Sequence, residues 1–170
     1  MSGKTTDNYT SVVATTFYTD NVLTARDAQI ELPEAAYLTA DVNVGGTISV
    51  PLRHLVDNME MTITKVGADS KIGRMLSPKM HNYEARFVQE VVDVNGNARE
   101  VGAKAFIKGI PNKIPAVSIN PSEASELEAT ITVFRYELFI DGVQQFCIDK
   151  TAGIIKVNGT DYGKNLNSML

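Results

Sequence analysis

The chain has 170 residues, of which 44% are apolar and 21% are charged, and its net charge is −4. This composition predicts a single globular domain over residues 1–170 that is large enough to bury a core. An acidic balance without any cluster of lysine and arginine argues against a dedicated nucleic-acid-binding surface.

Most of the chain alternates between apolar and polar residues with a period of two, which predicts β-strands. Residues 17–18 and 22–23 flank a short polar turn and predict a hairpin near the start. Residues 28–32 predict another strand, which ends at Pro33 because proline cannot donate a ladder hydrogen bond.

Residues 38–52 predict a longer hairpin. A three-residue loop, residues 45–47, places Val44 opposite Ile48 and keeps one face wholly apolar, whereas a two-residue turn mixes the faces. Pro51 indicates an irregularity in the second strand. The opposite, polar face carries Thr39, Asp41, Asn43 and Ser49, and the turn contains Gly45 and Gly46.

The middle of the chain predicts a strand over residues 59–66 and a short helix over residues 68–76. Asp69 or Ser70 is suited to cap the helix, and the Ser-Pro pair that follows ends it. Residues 83–94 and 99–110 flank Asn-Gly-Asn, a strong hairpin signal.

A long strand is predicted over residues 126–140, and its alternation changes phase near Val133 and Phe134. A phase change of this kind is typical of a β-bulge or of a strand that passes between two sheets. Before the change, the polar side of the strand carries Glu126, Glu128, Thr130 and Thr132, and Lys108 is a candidate for the same face from the partner strand.

No catalytic, cofactor-binding or metal-binding site is predicted. The segment 67–73 lacks the spacing of a phosphate-binding loop and reads as a helix start. Glu126 and Glu128 share a strand face, but no further metal ligand is indicated. The single cysteine, Cys147, excludes an intrachain disulfide, and its apolar neighbours predict a core residue rather than a nucleophile.

The last third of the chain carries an ordered set of short motifs: Glu-Leu-Phe-Ile-Asp-Gly at 137–142, Gln-Phe-Cys-Ile-Asp at 145–149, and Ile-Lys-Val-Asn-Gly at 155–159. A polar tail containing Asn165-Leu166 follows. This series resembles the C-terminal end of the major tail tube protein of contractile-tailed bacteriophages and phage-tail-like bacteriocins. The resemblance extends more loosely upstream to about Thr15.

The resemblance implies a mainly β fold with a short helix, an antiparallel β-barrel or sandwich. Its two long hairpins would join those of neighbouring subunits into a tube-lining barrel. The chain would be a structural protein without enzymatic activity, assembled into stacked hexameric rings. The polar faces of the hairpins would line the lumen, through the nine residues given above: Thr39, Asp41, Asn43, Ser49, Lys108, Glu126, Glu128, Thr130 and Thr132.

The implied partners are further copies of the chain, the tail sheath, baseplate and tail terminator proteins, and, in a phage, DNA that passes without specific binding. We expect residues 1–12 to form an N-terminal arm and residues 161–170 a C-terminal tail, either a short helix or an ordered arm. The segment Met1–Val12 has no secretory apolar run, so we expect assembly in the bacterial host cytoplasm and no membrane binding. The sequence does not distinguish a phage from a DNA-free bacteriocin as the parent particle. The alternative function is that of a monomeric small-ligand-binding β-barrel.

Overall fold

The computed structural model describes residues 9–170. This part of the chain contains twelve strands and two short helices. They are β1 (Tyr9–Thr19), β2 (Val22–Arg26), β3 (Gln29–Glu31), β4 (Tyr37–Asn43), β5 (Thr47–Val56), β6 (Met59–Val66), α1 (Ile72–Leu76), β7 (His81–Val92), β8 (Ala98–Pro111), β9 (Glu126–Ile140), β10 (Val143–Asp149), β11 (Ile154–Val157), β12 (Thr160–Asp161) and α2 (Lys164–Met169).

Ten of these strands form one antiparallel sheet, whose main path runs β12-β11-β10-β9-β8-β7-β1-β2. A branch of β6 and β3 leaves this path at β9. The branch folds over the β1-β2-β7-β8 layer, so the described residues form an open, sandwich-like arrangement and close no barrel. The mainly β class predicted from the sequence is confirmed, and of the two predicted forms the sandwich is the one observed.

The branch exists because β9 changes partners along its length. Along one edge, β6 pairs with β9 from Glu126 to Val133, and β10 pairs with it from Arg135 to Ile140. On the other edge, Lys108 lies opposite Arg135 and Gly109 lies opposite Val133, so Phe134 is an extra, bulged residue. The phase change predicted at Val133 and Phe134 is therefore confirmed as a β-bulge, at which β9 changes its neighbour from β6 to β10 within one sheet.

Gly109 permits the close approach of β8 and β9 at this bulge. A Cβ atom at this position would lie 2.5 Å from the carbonyl oxygen of Thr132, which is a backbone atom that cannot move aside cheaply. Only a glycine fits here without displacing one of the strands.

The core fills the space between the two layers. Phe17 of β1 and Tyr83 of β7 stack with ring centroids 5.5 Å apart, and both are fully buried. Opposite them, alternate residues of β6 and β9 point inward, as the period of two requires. These inward residues are Met59, Met61, Ile63, Leu127, Ala129, Ile131 and Val133.

Helix α1 closes one end of the core and is shorter than predicted. It begins at Ile72 rather than at residue 68, because the Asp69 carboxylate accepts hydrogen bonds from the backbone N–H of Lys71 and from the Lys65 ammonium. Those bonds favour a turn ahead of the helix. Met75 and Leu76 are buried and Ile72 packs beside them, so the predicted apolar stripe is confirmed.

The predicted N-terminal arm and C-terminal tail lie at the two ends of the chain. Of the expected arm over residues 1–12, the first eight residues lie outside the described residues, and Tyr9–Val12 belong to β1, which pairs with β7. At the other end, Lys164–Met169 form the short helix α2. No helix within residues 9–170 has the length and apolar content needed to span a membrane.

Candidate functional site

The β4–β5 hairpin, Tyr37–Val56, stands apart from the core as a sheet of its own. We call it the projecting hairpin. Its base is fastened by a hydrogen bond from the Asp57 N–H to the Ala36 carbonyl and by Lys150, whose ammonium donates to the Asp57 carbonyl. Both of its strands lack a second partner strand within the described residues, and a lone hairpin of this kind is only marginally stable in water.

The two faces of the projecting hairpin differ in polarity, as predicted. On one face, Asp41 accepts a hydrogen bond from Ser49 (2.6 Å) and Asn43 accepts one from Thr47 (3.1 Å). Thr39 shares this face, opposite Pro51. The other face carries Val42, Ile48 and Val50, which are 41–53% exposed, an unusual exposure for three adjacent aliphatic side chains.

The predicted register of this hairpin is wrong. Asn43 lies opposite Thr47 and Val42 opposite Ile48, so the three-residue loop is residues 44–46 rather than 45–47. Each residue of β4 therefore pairs with a β5 residue two positions earlier than predicted. Because side chains alternate with a period of two, the polar and apolar faces keep their predicted members. The structure places Gly45 and Gly46 in the loop, both with positive φ.

A second polar surface covers the outer side of the β3-β6-β9 branch. Glu126, Glu128, Thr130 and Thr132 lie there on β9, with their apolar neighbours in the core. On one edge of β9 their neighbours belong to β6: Thr64 lies opposite Glu128, Thr62 opposite Thr130 and Glu60 opposite Thr132. On the other edge the end of β8 pairs with β9 as predicted, with Ile110 opposite Thr132. We call this surface the polar face; its members are Gln29, Glu31, Glu60, Thr62, Thr64, Glu126, Glu128, Thr130 and Thr132.

The polar face is acidic. Its nine members include no lysine or arginine, since on β6 Lys65 points to the other side and donates hydrogen bonds to Thr24 O and Asp69. At its edge Glu31, Glu34, Asp57 and Glu60 line a groove of about 440 Å³. No group of acidic, histidine or cysteine side chains in residues 9–170 has the arrangement of a metal site.

Lys108 lies away from the acidic part of this surface. It is paired with Asn82 on β7 and with Arg135 on β9, beyond the bulge. The sequence predicts Lys108 only as a candidate for this face from the partner strand, and the bulge at Phe134 separates it from Thr132. The residues that sequence reasoning missed, Glu60, Thr62 and Thr64, could have been found from the strict alternation of residues 59–66.

A part-buried polar cluster joins the adjacent strands β9 and β10 rather than forming a reactive site. The Arg135 guanidinium binds Glu137 and, at 3.3 Å, Asp149. The Cys147 thiol donates to Glu137, and burial together with that carboxylate raises its pKa to about 11. A thiol held protonated in this way is a poor nucleophile, in agreement with the predicted core role.

The family described as phage tail tube protein FII matches residues 10–170. The chain belongs to this family. Tail tube proteins are structural and not enzymatic, so the chain is a structural component of a contractile tail or tail-like particle.

A solved structure agrees with this assignment at the level of the fold. It is the PVC sheath–tube complex of an extracellular contractile injection system in its extended state. The matching chain is 10% identical, with a TM-score of 0.50 over 74% of this tail tube protein and 87% of that chain. No curated protein matches the sequence.

Proposed function

We propose that this tail tube protein assembles into hexameric rings that stack head to tail into the inner tube of a contractile tail. Residues 1–170 act as one tube domain, with residues 1–12 and 161–170 as arms. The ring follows from lateral contacts that close, and the tube follows from axial contacts that do not close.

The observation that carries this proposal is the projecting hairpin. It exposes an aliphatic face and two unpaired strand edges, which a monomeric protein normally avoids. Pairing with the hairpin or with β9 of a neighbouring copy would satisfy the edges and bury Val42, Ile48 and Val50. A barrel that closes across several subunits removes every exposed edge.

The polar surfaces suit the lumen of such a tube. The face of the projecting hairpin with Thr39, Asp41, Asn43 and Ser49 would continue the polar face of the β3-β6-β9 branch. Carboxylates, hydroxyls and amides bind phosphate weakly, whereas a lysine-rich lining would retain a polyanion. Lys108, beyond the bulge, would lie at the margin of this lining.

The passenger is DNA if the particle is a phage, and ions or no cargo if it is a bacteriocin. The sheath–tube complex of the injection system supports a sheath protein as the external partner. Baseplate and tail terminator proteins would contact the ends of the tube, and assembly would take place in the bacterial host cytoplasm.

Negative-stain microscopy and light scattering of the purified chain test this proposal. We expect rings or hollow tubes that become more abundant as the protein concentration rises. A monodisperse monomer at high concentration would overturn the proposal and would favour the alternative, a small-ligand-binding β protein.

A further inference from the structure

The loop over residues 112–125, which joins β8 to β9, exposes apolar side chains at its tip. Ile114 is 80% exposed and Ile119 is 87% exposed, and Val117 between them is also exposed. We call this segment the tip loop. Its shape is held by a hydrogen bond from Ser125 to the Ser118 carbonyl.

Two prolines, Pro115 and Pro121, also restrict the tip loop. Prolines reduce the freedom of a chain before it is ordered, so holding this loop against a partner costs less entropy than holding a flexible one. An ordered loop that presents large aliphatic side chains to solvent has the character of a contact surface.

The outer side of the main sheet carries a groove of matching character. Gly102 on β8 has no side chain to cover Val88, which lies opposite it on β7, and the gap is walled by Phe106 and Phe139. These two rings meet edge to face with centroids 5.7 Å apart. The groove has a volume of about 580 Å³, which is enough for several aliphatic side chains.

The tip loop and this groove are well separated along β8. Gly102 is nine residues from Pro111, where β8 ends and the tip loop begins, and that separation corresponds to about 30 Å along a strand. A head-to-tail stack brings one end of a subunit against the other end of the next, so it requires two different, complementary surfaces.

The charges at the two surfaces are also complementary. Lys104 stands on the rim of the groove and has no ion-pair partner within residues 9–170. The tip loop carries Glu123, which is contacted only by the Asn120 amide among the described residues. A contact between the surfaces would place this acid within reach of the free ammonium.

We infer that the tip loop of one copy inserts Ile114 and Ile119 into the Gly102–Phe106–Phe139 groove of a copy in the next ring. This inference rests on the proposed tube function and identifies a contact by which rings stack. It assigns to the tip loop an axial role that differs from the lateral role of the projecting hairpin.

Disulfide trapping tests the contact directly. The variant Ile119→Cys with Gly102→Cys should form intermolecular disulfides in assembled tubes and give a ladder that extends beyond the size of one ring. Gly102 tolerates the change, since a Cβ atom there meets no atom within 4 Å and its φ is not in the left-handed region. Native Cys147 contributes little background because it is buried and its pKa is raised.

The matched controls are each single cysteine variant and the pair Ile119→Cys with Asn95→Cys, which places the second thiol on an exposed turn outside the groove. None of these should give the long ladder. In a separate arm, Ile119→Asp should yield rings without long tubes by microscopy, while Ile119→Val should form tubes.

The outcomes separate this inference from the proposed function. Tubes without cross-links, or a ladder that stops at the size of one ring, would overturn the axial contact and leave the tube function intact. A wild-type protein that forms neither rings nor tubes would overturn the tube function and the contact with it.

Discussion

At the scale of single residues, Gly46 is the position where the backbone is most restrictive. Its φ of 139° lies in a region that side chains with a Cβ atom rarely adopt, although no atom crowds the site. We predict that Gly46→Val distorts the loop of the projecting hairpin and reduces tube formation. Because the hairpin lies outside the core, the melting temperature of the monomer should change little.

Val44→Ala, in the same loop, is the control for Gly46→Val and should assemble normally. Sedimentation of tubes beside thermal unfolding of the monomer separates the two effects. Normal assembly of the Gly46→Val protein would show that the geometry of this loop does not matter to the tube.

The carboxylates of the polar face allow a test of the lumen assignment. Glu126 and Glu128 lie opposite Val66 and Thr64, so replacing both by lysine breaks no cross-strand ion pair. We predict a change in unfolding free energy of about 0.5 kcal/mol or less, as is usual for exposed sites. Repeated around a ring, the lysines would form a positive collar and slow DNA passage in a phage.

Raised salt should relieve this defect, because counterions compete with phosphate contacts. The double variant with glutamine at both positions is the control, since it removes charge without reversing it. Wild-type rates of DNA ejection from the lysine variant at low salt would place these residues outside the lumen.

Asp20 links stability to pH. It accepts hydrogen bonds from the buried His81 ring (2.7 Å) and from the Asn82 N–H (3.0 Å). Burial alone raises the pKa of Asp20, but these bonds and the nearby positive charge outweigh it and hold the pKa below its ordinary value. The stability that this carboxylate contributes is therefore present at neutral pH and is lost as the pH falls below about 4.

We predict that Asp20→Asn loses less stability than the wild type between pH 7 and pH 3. Asparagine retains an oxygen for the Asn82 N–H and tolerates the left-handed conformation found here, where φ is 48°. Urea unfolding at several pH values measures the difference. A gap between the two proteins that stays constant over this range would contradict the assigned role.

At the scale of elements, the bulge at Phe134 determines which side of β9 faces the core after Val133. Deleting Phe134 would shift residues 135–140 by one position and turn every side chain to the other face. Tyr136 would move outward, and Arg135 and Glu137 would move into the core. We predict that the deletion variant fails to fold.

Phe134→Ala is the control for the deletion, since it retains the extra residue and should keep the native far-ultraviolet circular dichroism. A folded deletion variant would show that the bulge can migrate along β9.

Several elements were predictable because their local pattern agrees with their tertiary surroundings. The strand over residues 59–66 and the long strand over residues 126–140 were predicted at their observed bounds, and the phase change marked the bulge. The predicted register of the projecting hairpin was wrong because a shift of two residues leaves the polar and apolar faces unchanged. The pattern of polar and apolar residues therefore could not distinguish the two registers. The pairing of β9 with β6 was not predicted, because many sequence-distant strands share the same alternation.

At the scale of the whole molecule, the projecting hairpin should change its behaviour on assembly. In the monomer its strand edges have no partner and its hydrogen bonds face water, so its backbone should exchange hydrogen quickly. In a tube, neighbouring copies would cover those edges. We predict strong protection of residues 37–56 in the tube and weak protection in the monomer, with β6 and β9 protected in both.

Hydrogen–deuterium exchange with peptide resolution makes this measurement, and the core strands serve as the internal control. Equal protection of residues 37–56 in both states would contradict a lateral role for the hairpin. The sequence predicts such a change of state for residues 38–52, but it could not identify the surface that covers the hairpin, because one chain holds only one half of each contact that a tube requires.

The shared strand β9 also has a mechanical consequence. One end of β9 belongs to the acidic β3-β6-β9 branch, and its other end belongs to the main path of the sheet. Strands β6, β8 and β10 are hydrogen-bonded along its length. A pull along β9 is therefore borne by many hydrogen bonds in shear at once rather than broken one bond at a time. If the acidic branch lines the lumen, a tube wall built from such subunits would resist separation of its layers when a sheath drives it forward, because the backbone of β9 would contribute to both its inner and its outer surface.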